Sequence, residues 1–237
     1  MTRPGRSRVE HRTHRLIASR YPTVGVFDDL TSDPEELRVA FLLANATNDR
    51  LSLLGKRIGA IPDSEIVTGP TASLVMAAFL HADPAGGRFT DSRLGAWYAS
   101  FEIETAIEEV CFHSERRLRH SAQGFPSSIQ MRELIADIDC ALYDIRGQQG
   151  EHPELYDPDV TSYGAAQRFG VALRWPSDES EPERGIVYDS VRRASGTNVC
   201  LYRPSVIPLP VIQGDHYQMH WDSGGDRRIA KLTNVEL

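Results

Sequence analysis

Apolar positions recur at helical spacing in some stretches of this chain and at strand spacing in others. Ile103, Ala106, Ile107, Val110 and Leu118 fall on one stripe at about 100° per residue, which predicts a helix over 102–117. The run TASLVMAAFLH predicts a compact apolar helix over 71–81, just after Gly69-Pro70. A third helix is expected over 34–45, with Asp33 as N-cap and Leu37, Phe41 and Leu42 as its stripe, and a short one near 162–170. Strands are expected at 14–19, 94–99, 131–145, 185–191 and 198–203, with edge strands at 216–221 and 228–233. Alternation is plainest over Ala136 to Leu142, and shorter strand-like pieces stand at 57–61 and 65–68. Strands and helices mix without regular β-α alternation, so the expected fold class is α+β.

The polar segments set the boundaries. Residues 1–13 are rich in arginine and carry Pro4 and Gly5, and they are expected as a loose tail before a single domain over 14–237. The stretches 147–159 and 176–185 read as solvated loops. A net charge of -7, with no basic run outside the ends, counts against binding duplex nucleic acid. Cys111, Cys140 and Cys200 lack any paired spacing and read as reduced thiols, which with the absence of a membrane-length apolar run makes the cytoplasm the expected compartment. His216 and His220 share a strand face but have no further ligands at metal spacing, so no metal is expected. GxSxG, HExxH, P-loop and GxGxxG fingerprints are absent, which removes weight from the common hydrolase, zinc-protease and nucleotide chemistries.

Candidate chemistry concentrates in 86–120, GGRFTDSRLGAWYASFEIETAIEEVCFHSERRLRH. Gly86 and Gly87 let the backbone approach another group closely, and Arg88 offers a planar fork of donors to a phosphate or carboxylate. Tyr98 supplies a ring with a polar tip. Among Glu102, Glu104, Glu108 and Glu109, Glu109 lies nearer the Ala106 and Val110 side than Glu108 and is the one drawn inward. An inward carboxylate serves either a ligand or an ion pair with an arginine such as Arg88 or Arg116. Together these residues outline a site for an anionic, ring-bearing ligand. Ser190, where a strand over 185–191 ends, is either a turn residue or a hydroxyl that holds a carboxylate.

Three segments, HRLIASRYPTVGVFDDL, GGRFTDSRLGAWYAS with ETAIEEVCFH, and GIVYDSVRRASGTNVCLYRP, occur in that order over about residues 14–206 and resemble the RES-domain family of bacterial toxins. The resemblance implies a split, curved β core similar to the ADP-ribosyltransferases, with NAD as substrate in a cleft. It implies catalytic roles for Glu109, Tyr98 and Ser190 and NAD binding by Arg15, Arg88, Phe89 and Tyr98. Where some members carry a tyrosine after the first arginine, this chain has Leu16, so ring stacking from that position is lost. The expected activity is NAD consumption by hydrolysis or phosphorolysis, as the toxin of a toxin-antitoxin pair. ADP-ribosyl transfer to a protein shares the same cleavage step, and a binding module without turnover is the reading from another class. The resemblance also implies a protein partner, an antitoxin of Xre type, and no direct nucleic-acid contact. Self-association is left open.

Overall fold

The computed structural model describes residues 5–21 and 52–233, together with positions 33, 35, 36 and 39. Two long strands carry the architecture. β1 (Gly5–Ala18) and β3 (Ser127–Asp144) pair antiparallel along the whole of β1, from Gly5 opposite Asp144 to Ala18 opposite Met131. β1 also meets β2 (Trp97–Ser100) where His14 stands opposite Ser100. β2 pairs with β5 (Thr197–Leu201), and β5 with β4 (Gly185–Asp189), both antiparallel. β4 returns to β3 in parallel at Tyr143 and Asp144, so β1, β2, β5, β4 and β3 close into a ring.

The far edge of β3 is divided. Its last residues hold β4, while Ser127 to Ile135 pair with β6 (Ile212–Trp221), which in turn carries β7 (Arg227–Leu232). The sheet therefore splits along β3, and the α+β class holds. β6 is an interior strand rather than the expected edge, because β7 covers its outer side.

Residues 5–13 of the expected loose tail are instead the first two thirds of β1, and residues 1–4 lie outside the described residues. Val9 and Thr13 point inward at 4% and 1% exposure, while Arg8 and Arg12 face solvent and reach Asp139 and Asp137 of β3 at 2.7 and 2.8 Å. Arginine-rich polarity thus marks the wet face of a strand whose acidic partners lie far along the chain.

Four helices with described ends pack on this sheet: α1 (Ser52–Gly59), α2 (Ala72–Leu80), α3 (Ile103–Arg119) and α4 (Gly164–Arg174). The strand-like pieces expected at 57–61 and 65–68 are not strands: the first is the end of α1 and its turn, and a short 3₁₀ turn over Asp63–Glu65 precedes an irregular 66–68. Ile58 and Ile61 are three apart, a helical spacing, and both are buried in the main core. Asp33 Oδ1 accepts the Glu35 N–H at 2.8 Å, as an N-cap does; most of the helix expected over 34–45 lies outside the described residues.

Alternation along the strands sorts the core into two faces. Trp97, Ala99, Val199, Leu201, Val187 and Leu134 join α2 in the main core. On the opposite face, Tyr98, Cys200, Ile186 and Tyr188 pack with Phe89 and Ala166 of α4. α3 covers a third cluster formed by Leu16, Met219 and Trp221. Each fully buried large side chain contributes about 1.5–3 kcal/mol. Among the described residues no helix is long and apolar enough to cross a membrane.

Candidate functional site

Helix α3 places the central carboxylate. Thr105, Ala106, Cys111, Ser114 and Leu118 form its buried face, and Glu109 stands beside that face, partly buried. Glu109 Oε1 accepts two hydrogen bonds, from Ser190 Oγ at 2.7 Å and from Asn198 Nδ2 at 2.7 Å. No arginine pairs with it among the described residues, so the ion pair with Arg88 or Arg116 is not the reason it turns inward.

Ser190 is oriented by its own loop. Its Oγ accepts the N–H groups of Arg192 at 3.0 Å and Arg193 at 3.2 Å, which leaves its proton for Glu109. A hydroxyl so occupied holds a carboxylate and is not an activated nucleophile. The loop is tied to the start of α3, where Glu102 accepts from Thr105 Oγ1 at 2.7 Å and Arg193 donates to the same Thr105 oxygen at 3.1 Å.

Tyr98 lies on the same face of the sheet and is partly exposed as a residue. Its hydroxyl accepts the Phe89 N–H at 3.0 Å and stands 3.2 Å from Thr90 Oγ1. Burial, more than any neighbour, pushes this hydroxyl well above the ordinary tyrosine range, so it stays protonated. The glycine pair makes the contact possible. Gly86 has φ +75°, and a Cβ on Gly87 would come within 2.6 Å of the Tyr98 hydroxyl oxygen.

Other residues named from the sequence are placed differently. Phe89 is fully buried, edge-on to Tyr188 with centroids 4.8 Å apart, and its ring belongs to the core rather than to a ligand surface. Arg88, 7% exposed, donates from Nη1 to the carbonyls of Leu155 and Asp157 at 3.0 and 2.9 Å and from Nη2 to Tyr163 Oη at 3.2 Å. Its fork is spent on fixing the loop that follows β3. Arg15 shares the main-core face with Leu134, 5.1 Å over the Trp97 ring, and donates to the Tyr98 carbonyl at 2.8 Å. It does not meet Glu109, which lies on the other face. Burial draws the Arg15 guanidinium down to about 10, still cationic at neutral pH, and its Nε has no partner among the described residues.

Two functional candidates escaped the sequence reading. Asn198 is hidden in an ordinary strand, and no local signal marks it. Arg192 follows Ser190 by two residues: its guanidinium lies 3.3 Å over the Phe112 ring, donates to Pro158 O at 2.6 Å and to Tyr163 Oη at 3.3 Å, and leaves its buried Nε without a partner among the described residues. Tyr163 thereby bridges Arg88 and Arg192, and the two cations make the region beside α3 electropositive.

A family model described as the RES domain matches residues 65–222. The chain belongs to the RES-domain family. Tyr98, Glu109, Ser190 and Asn198 of this RES-domain protein all lie inside the matched region, while Arg15 precedes it. An uncharacterized protein, y4oC, of Sinorhizobium fredii (strain NBRC 101917 / NGR234) is 26% identical over 211 residues, covering 88% of this chain and 82% of that protein. Among solved structures, the crystal structure of the M. tuberculosis MbcT-MbcA toxin-antitoxin complex aligns with a TM-score of 0.42 at 12% identity, covering 92% of this chain and 87% of that chain.

The electropositive region has a measurable consequence. Burial, then Arg192, Arg117, Arg116 and Arg88, pull the His113 imidazole from 6.5 down to about 4. Between those values the unfolded chain takes up a proton that the folded protein refuses, so stability falls as pH is lowered through that window, by about 2 kcal/mol. Urea unfolding at pH 7 and pH 4.5 is expected to show this loss, and His113→Gln is expected to remove that part of it. An equal loss in the variant would place the acid sensitivity elsewhere.

Proposed function

We propose that this RES-domain protein is an enzyme that breaks the nicotinamide-ribose bond of NAD and acts as the toxin of a toxin-antitoxin pair. The observation that carries the reading is Glu109: a carboxylate turned inward, held by two neutral donors, Ser190 and Asn198, and neutralised by no described cation. Such a carboxylate is available to the positive charge that moves from the pyridinium ring onto the ribose during reaction. In the cleavage, the bond between ribose C1′ and the pyridinium nitrogen breaks, its electron pair leaves with neutral nicotinamide, and C1′ becomes oxocarbenium-like. Glu109 stabilises that cation more strongly than it stabilises the bound substrate, which is what lowers a barrier.

Tyr98 offers a ring surface to nicotinamide, and its carbonyl ties Arg15 behind it. The cation for the diphosphate is assigned to Arg192, whose Nη1 has no partner among the described residues, in place of Arg88, both of whose terminal nitrogens are engaged. The acceptor at C1′ is water, phosphate or a protein side chain. An antitoxin of Xre type, the partner implied by the sequence resemblance, is expected to bind this protein and to leave nucleic-acid contact to its own domain.

The test is nicotinamide release from NAD by the purified chain, with and without inorganic phosphate, beside labelled NAD and cell extract. Release is the expected result, with free ADP-ribose or its phosphate ester according to the acceptor. Label carried onto a protein would move the assignment to ADP-ribosyl transfer. NAD binding without release would leave a binding module and end the enzyme reading.

A further inference from the structure

The second donor to Glu109 points to a role that goes deeper than the cleavage reading and rests on it. Asn198 is 3% exposed, in the middle of the β2–β5–β4 ladder opposite Ser100 and Tyr188. Ser100, also 3% exposed, donates its hydroxyl proton to Asn198 Oδ1 at 2.7 Å. That bond fixes the amide. The reverse orientation would set the amide oxygen against the Glu109 carboxylate, two acceptors facing each other, so the NH₂ edge is the one aimed at Glu109. A directed chain results: Ser100 donates to Asn198, Asn198 to Glu109, and Ser190 closes on the same carboxylate oxygen from the loop after β4.

Both donors end on Oε1, and among the described residues Oε2 accepts none. A carboxylate pinned through one oxygen by a strand and a loop has a fixed plane, and the other oxygen is left for the substrate. We propose that Asn198 is a positioning residue of the RES-domain site, which together with Ser190 anchors Oε1 of Glu109 so that Oε2 is the oxygen presented to the ribose. Ser100 acts one step further back, as the group that sets the amide. The arrangement places the aiming device on the sheet rather than on α3, so the angle of the carboxylate is set by β5 even though the helix carries it.

The experiment compares wild type, Asn198→Ala, Asn198→Asp, Ser100→Ala and Glu109→Gln in nicotinamide release, with kcat and KM for NAD resolved. Loss of aim without loss of binding is expected: Asn198→Ala lowers kcat about 10- to 100-fold with KM changed by less than about threefold. Asn198→Asp keeps the shape but puts a like charge against Oε1, and is expected to be the slower of the two. A packing role predicts the opposite order, since aspartate fills the space better than alanine; that order, or a wild-type kcat in Asn198→Ala, overturns the proposal. Ser100→Ala keeps Asn198 in place and guards against a failure to fold; a kcat loss of roughly three- to tenfold is expected, and none would remove Ser100 from the chain. A separate arm needs no turnover: one Asn198 side-chain amide proton is expected to exchange slowly in the wild type and faster in Glu109→Ala. If the wild type releases no nicotinamide, the cleavage reading falls while this arm still decides the anchor. If Glu109→Gln is inactive and Asn198→Ala is not impaired, only the positioning role falls.

Discussion

Glu109→Gln is expected to reduce nicotinamide release by about 10²- to 10³-fold while NAD binding changes little. The substitution keeps the length and planarity of the side chain, and an amide oxygen at the Oε1 position still accepts from Ser190 and Asn198. What it removes is charge. The substrate's ribose carbon is not yet cationic when it binds, so the lost charge is felt at the transition state and appears in kcat. Ser190→Ala is expected to fall short of this, because the carboxylate survives and Asn198 still holds it. A Glu109→Gln protein with wild-type kcat would remove Glu109 from the chemistry and with it the cleavage reading.

The inward turn of Glu109 was legible because helical spacing alone assigns it to the flank of the buried face. Its partners were not. The arginines suggested by proximity in sequence, Arg88 and Arg116, are elsewhere: Arg88 holds the carbonyls of Leu155 and Asp157, and Arg116 is exposed. The donors come from the β4–β5 hairpin, Ser190 and Asn198, and only the folded sheet brings that hairpin under α3. Ser190 was open from its place at a strand end, as a turn residue or a hydroxyl that holds a carboxylate, and the family resemblance favoured the second; Asn198 has no such mark. Phe89 shows the same limit from the other side. Its neighbours Gly87 and Tyr98 do meet, but the ring itself turns into the core, and a residue's place in a motif does not say which way it points. The division of β1 from the supposed tail failed for a related reason: an exposed strand face reads as a polar tail until its acidic partners on β3 are known.

The glycine in α4 separates helix propensity from packing, and the two predict opposite signs. In a free helix Gly170→Ala would add stability, by about 1 kcal/mol. Here a Cβ at Gly170 would lie 2.1 Å from the Phe89 carbonyl oxygen and 2.6 Å from the Tyr202 hydroxyl, which donates to that same carbonyl at 3.1 Å. The nearer of these two atoms is backbone, so the helix itself must move. Gly170→Ala is therefore expected to cost about 3 kcal/mol, read as a fall of roughly 9 °C in Tm. Gly150→Ala, with nothing within 4 Å of its added Cβ, is expected to change stability by less than about 0.5 kcal/mol. The displacement should reach the site as well. Gln167, one turn earlier on α4, donates to Ala85 O at 2.8 Å and Gly87 O at 3.1 Å, and Gly87 in turn packs on Tyr98. A Gly170→Ala protein that is folded at low temperature should accordingly lose nicotinamide release along with stability. Unchanged Tm and turnover would mean that α4 does not set the position of the Gly86–Gly87 loop.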